Sequence, residues 1–141
     1  MRVTTFRNSI ETRGNGEMID ITAAVAKAVL GSGLDDGVAT VFVTGSTAGL
    51  TTIEYEPGLV HDFTAAFERL YPKAMEYRHH ERWGDDNGHS HVRASMLGPS
   101  LAVPFGERKL TLGTWQQIVL VDFDTRARTR EYVVQLIGES R

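Results

Sequence analysis

Apolar positions along the chain alternate at strand period toward both ends and recur at helical spacing in between. "VTTFRNSIETRG" is rich in threonine and β-branched residues and runs into the turn-forming "GNGE", which predicts a strand. Ile21, Ala24, Val25, Ala28 and Val29 follow at helical spacing behind Asp20, an N-cap residue type, and Gly31 and Gly33 supply the stop. "GVATVFVTG" reads as a strand whose β-branched run from Thr40 to Thr44 predicts cover on both faces. Pro57 suits the first turn of a second helix, with Leu59, Phe63, Ala66, Phe67 and Leu70 as its stripe and Pro72 closing it. From Tyr77 to Gly88 the pattern dissolves and predicts a polar loop. "SLAVPFG", "KLTLG", "WQQIVLVDFD" and "REYVVQLIG" then read as strands, the last two joined by "DTRAR" in an expected antiparallel meander. Two helices among these strands point to an α+β fold, mostly antiparallel, in a single domain over residues 1–141.

Composition narrows the function classes. The chain has 141 residues, 41% hydrophobic and 23% charged, which suits one globular domain with a real core. A net charge of -3 gives no general attraction to nucleic acid or to anionic lipid, so neither is expected as a partner. The absence of cysteine excludes disulfides, thiolate nucleophiles and Cys-based metal sites. No apolar signal core or membrane-length run is present, and a cytoplasmic protein is expected.

Three stretches carry candidate chemistry. "WGDDNGHSHVRAS" holds His89 and His91, with His79 and His80 just upstream. In an extended segment residues two apart share a side, so His89 and His91 can meet one ion, a third ligand coming from His79, His80, Glu54, Asp85 or Asp86. In a helix the same pair diverges by roughly 200° and the chelate fails. The alternative is a polar loop with solvated histidines. "VTGSTAGLTTIEYE" places Ser46 and Thr47 in a turn able to present hydroxyls and N–H groups to an anion, with Glu54 as a general base or metal ligand; a plain strand edge is the other reading. It lacks the lysine of a P-loop. In "LTLGTWQQIVLVDFD", Gln116 and Gln117 either hold a ligand or satisfy backbone groups. Arg126, Arg128 and Arg130 alternate close to Asp122 and Asp124, which reads as a salt-bridged turn.

The order "GSTAGLTTIE", "YRHHERWGDDNGHSHVRASMLGPSLAVPF", "LTLGTWQQIVLVDFD" and "VVQLIG" resembles the YjbQ-like family, often labelled the secondary thiamine-phosphate synthase family. The resemblance runs from about residue 3 to residue 138. It implies a β-sandwich-like core, a homotrimer, and a polar pocket near a subunit boundary with His and Glu ligands for a divalent metal. Glu54 matches the family's acid, His79 and His91 its histidines, and Ser46 and Thr47 its hydroxyl pair. The family's usual histidine before that pair is replaced by Gly45, and His89 is the imidazole offered in its place. The implied activity joins a pyrimidine diphosphate to a thiazole phosphate. The expected site therefore has Glu54 as catalytic acid or base, Ser46, Thr47, Arg93 and Gln116 on a small phosphorylated metabolite, and His79, His89 and His91 on zinc or magnesium. A metal-dependent hydrolase, with Glu54 as base to an activated water, and a non-catalytic binding protein for a phosphorylated metabolite are the alternatives.

Overall fold

The computed structural model describes all 141 residues. In chain order the elements are β1 (Arg2–Thr12), β2 (Glu17–Asp20), α1 (Thr22–Ser32), β3 (Asp36–Val43), β4 (Ala48–Ile53), α2 (Pro57–Leu70), α3 (Arg78–Trp83), α4 (Gly88–Leu97), β5 (Ser100–Gly106), β6 (Lys109–Leu110), β7 (Gln117–Asp122) and β8 (Arg128–Glu139). No helix is long and apolar enough to cross a membrane. Every strand pairing is antiparallel. A five-stranded sheet runs β1-β8-β3-β5-β6, and a three-stranded sheet runs β2-β7-β4.

The layers follow from which strand faces are apolar. The inner face of the large sheet (Ala39, Val41, Val103, Phe105, Tyr132, Val134 and Leu136) packs with α1 and with Leu50, Ile118 and Leu120 of the small sheet. The other face of the small sheet, including Val119 and Val121, packs against Phe67 of α2 and Ala94 of α4. Thus β7, central in its sheet, is buried on both sides, and Ile118 to Val121 are all fully inaccessible. The helix boundaries follow local chemistry. Asp20 accepts the Thr22 N–H at the entry of α1, Gly33 ends that helix in the left-handed conformation, and the Glu56 carboxylate caps Gly58 and Leu59 beside Pro57.

Three expectations change. The last two long strands do not form a meander: β7 pairs with β2 and β4, whereas β8 pairs with β1 and β3. The "DTRAR" turn carries the chain from one sheet to the other, because the all-buried β7 needs two covered faces while the alternating β8 needs one. Four helices are present rather than two. α4 was illegible by apolar spacing because its buried face is Gly88, His89, Ser90, Arg93 and Ala94, small or polar throughout. Gly88 is required there, since a Cβ would lie 2.5 Å from Tyr77 Cβ. Finally, β3 has only one covered face within the chain, and Val38, Thr40 and Phe42 are exposed on the other.

Candidate functional site

The two short helices place two imidazoles side by side. His79 lies near the start of α3 and His91 in the first turns of α4, and their ring centroids are 4.3 Å apart. His79 Nε2 is 3.4 Å from an Asp85 oxygen. The Asn87 amide, turned with its nitrogen toward this pair, donates to His79 Nε2 at 3.3 Å and to Asp85 at 3.2 Å. Turned the other way, it donates to Asp124 Oδ1 at 3.4 Å. Burial lowers the His91 pKa from the ordinary imidazole value, and the neighbouring His79 lowers it further. A neutral ring with a free lone pair is the form that ligates metal or accepts a proton.

Behind this pair lies a buried ionic network. Asp124 accepts from Thr47 Oγ1 at 2.8 Å, from Arg128 Nη1 at 2.7 Å and from the Thr125 N–H at 2.8 Å. Burial pushes its pKa up, but these donors outweigh burial and hold it down at about 2. Asp122 is completely inaccessible and receives two bonds from Arg130, at 2.8 and 2.9 Å, and one from Thr12. Arg130 Nη2 also donates to Thr47. Of the three alternating arginines, Arg128 and Arg130 make the expected ion pairs, Arg130 as the buried member, while Arg126 pairs with no carboxylate.

The other expected site residues are distributed as follows. Thr47 is consumed by Asp124 and Arg130, while Ser46 next to it is exposed, so the hydroxyl pair does not act as one anion clamp. Glu54 is exposed just beyond β4, at the opposite end of that strand from Thr47 and roughly 20 Å away along it. His89 is on the far side of α4 from His91, as the helical period requires for residues two apart. The trio of His79, His89 and His91 is therefore not assembled, and no group of three or more His, Asp or Glu in the chain is placed to hold a metal ion. Arg93 is buried and bonded to the Tyr71 carbonyl and to Glu68. Gln116 binds the Gly113 N–H and Thr52 Oγ1 and lines a separate cavity of about 400 Å³ beside Thr51 and Thr111. Sequence reasoning missed Asn87 and Asp124 as neighbours of the imidazoles. "DFD" at the end of an apolar strand, opposite alternating arginines, was the available signal.

Comparison with known proteins decides the family. Residues 7–139 match the family described as UPF0047 protein YjbQ-like. The chain belongs to this family. A UPF0047 protein of Archaeoglobus fulgidus is 36% identical over 129 residues, covering 92% of this chain and 98% of the relative. One from Methanocaldococcus jannaschii is 34% identical over 135 residues, covering 95% and 94%. Among solved structures, a YbjQ-like protein of unknown function from Sulfolobus solfataricus superposes with a TM-score of 0.88 at 32% identity, covering 98% of this chain and all of its own. An uncharacterised YjbQ/UPF0047 protein from Clostridium acetobutylicum gives a TM-score of 0.86 at 38% identity, covering 94% and 99%.

Within this YjbQ-like chain, Gly45 has a structural reason. Its φ is +135°, and a Cβ there would sit 2.5 Å from Arg130 Nη1. Gly45 thus admits the buried Arg130 guanidinium, and a histidine at this position would collide with it while also occupying a backbone region reserved for glycine.

Proposed function

We propose that the protein is a metal-binding enzyme centred on His79 and His91, acting on a small phosphorylated metabolite, with thiamine-phosphate formation as its leading reaction. The observation that supports this is the close pair of imidazoles beside Asp85. Two imidazoles suit zinc better than magnesium, which prefers oxygen donors. They make an incomplete set, because a zinc site takes at least three protein ligands. The exposed Glu54 is the family-matched acid left to be supplied by a neighbouring copy. A bound divalent ion at such a centre supplies positive charge to a departing diphosphate or to an attacking water. The chain's own part is to hold the pair in place: Asp85 lies beside the His79 ring, and the Asn87 amide serves either that pair or Asp124, according to which way it is turned.

Self-association as a homotrimer belongs to the same reading, as does a cytoplasmic location. Support comes from the outer face of the large sheet, where the register places Val3, Ile137, Val38 and Pro104 side by side in one row. Phe42 adds exposed apolar surface on the same face four residues further along β3, beyond Thr40. The expectation that β3 is covered on both sides is then met by another copy. Sedimentation at micromolar concentration should show one species of three chain masses, and Phe42→Lys should shift it to monomer. A monomeric wild-type protein would contradict the trimer.

Product analysis tests the reaction. A synthase releases diphosphate only when the pyrimidine diphosphate and the thiazole phosphate are both present. A metal-dependent hydrolase consumes water with one substrate alone. Tight binding of either compound without any turnover would replace both with the binding-protein reading.

A further inference from the structure

The helix that carries His91 has an opposite face with its own chemistry. His89 and Arg93, one helical turn apart on α4, face α2 across a cavity of about 580 Å³. His61, Thr64, Ala65 and Glu68 of α2, Lys73 beyond its end, and Asn15 complete the wall. This volume lies in the range of small-molecule sites, and charged and polar side chains line it, their carbon atoms making much of the accessible wall. None of its lining residues belongs to the His79–His91 pair.

Two features of the wall point to a ligand. His89 is only 2% exposed, and its Nδ1 is the single buried side-chain nitrogen or oxygen in the chain without a hydrogen-bond partner. Leaving such a group unpaired is costly, so a native structure that keeps one calls for a partner at that position. Arg93 is pre-set: the Tyr71 carbonyl and Glu68 take its Nε and Nη2. That leaves the two Nη1 hydrogens of a rigid guanidinium available. Lys73 adds an ammonium whose only side-chain contact is a long 3.5 Å bond to Asn15. Two cations against the one carboxylate of Glu68 leave the wall with an excess of positive charge.

We propose that this cavity is a binding site for a small oxyanion, a phosphate or carboxylate group held by Arg93 and Lys73 with a hydrogen bond from His89. Charge-assisted bonds of this kind give specificity through the fixed guanidinium and strength through the ammonium. The site does not depend on metal at His79 and His91, so its test runs on chelator-treated protein.

Inorganic phosphate and acetate, titrated separately into the isotopically labelled full-length protein, should give saturable shifts in the Arg93 Nε–H and His89 ring signals. Lys73→Met should weaken binding by about 10-fold, as loss of one charge-assisted bond implies. His89→Gln should weaken it as well, and His91→Ala should leave it unchanged. Binding of phosphate alone supports a phosphate-monoester occupant, and binding of acetate alone a carboxylate. Should His89→Gln fail to fold, the exposed Lys73→Met variant decides. No saturable shift with either anion, or equal affinity in wild type and Lys73→Met, overturns the proposal.

Discussion

Replacing Asp122 with alanine should lower the unfolding free energy by roughly 3–5 kcal/mol, the range for removing one partner of a buried ion pair. Asp122 is inaccessible, and Arg130 is 3% exposed. Without the carboxylate, the Arg130 guanidinium keeps one hydroxyl partner, Thr47, and a distant Asp124 oxygen at 3.9 Å. Thr12 loses the Asp122 carboxylate and keeps only the Arg128 carbonyl as acceptor. The loss is therefore mainly the desolvation of a stranded charge, not the worth of the pair itself. Asp122→Leu combined with Arg130→Met should recover most of it, because apolar residues of similar volume replace buried pairs at little cost. The same network sets an acid limit. In the unfolded chain Asp124 titrates at its ordinary 3.8, whereas the folded state keeps it ionised down to about 2. The unfolded state thus takes up the proton first. The contribution is fully present above pH 4 and about 2 kcal/mol is lost as pH falls through that window. Urea unfolding at pH 7 and across the acid range measures both effects. A loss below about 1 kcal/mol for Asp122→Ala would mean that the network is solvated or replaceable.

The strands and the first two helices were legible because their signal is apolar spacing. β1 and β8 alternate, α1 carries its stripe at Val25, Ala28 and Val29, and Pro57 and Glu56 mark the entry to α2. Partner choice was not legible. Nothing local in "WQQIVLVDFDTRARTREYVVQ" tells a tight hairpin from a crossing between sheets, and the difference is made by burial on the second face of β7. α4 escaped detection for the opposite reason: its inward face is polar, and polar residues at 3.6 spacing look like a loop. That one error controls the site. Read as extended, "HSH" aligns His89 with His91; as a helix, it sends them to opposite sides. The pairing of His79 with His91 was named by resemblance, and the structure brings these two together while leaving Glu54 remote within the chain. Asn87 and Asp124 became visible only once the turn between the sheets was in place.

The second large effect concerns those imidazoles. His79→Ala or His91→Ala should each weaken zinc binding by more than about 100-fold, since even outer partners of metal ligands are worth 10–100-fold. His89→Gln should leave it unchanged, because that ring lies across α4. Glu54→Gln should also weaken binding if a neighbouring copy supplies the third ligand, and Phe42→Lys should weaken it to the same extent by separating the copies. Circular dichroism separates these losses from unfolding. Zinc titration of the untagged protein, followed by calorimetry, is the most direct measurement of the imidazole centre. The expected result is one ion per chain, tight in wild type and lost in His91→Ala. No bound zinc, or the same affinity in His91→Ala as in wild type, would contradict a metal centre built on His79 and His91.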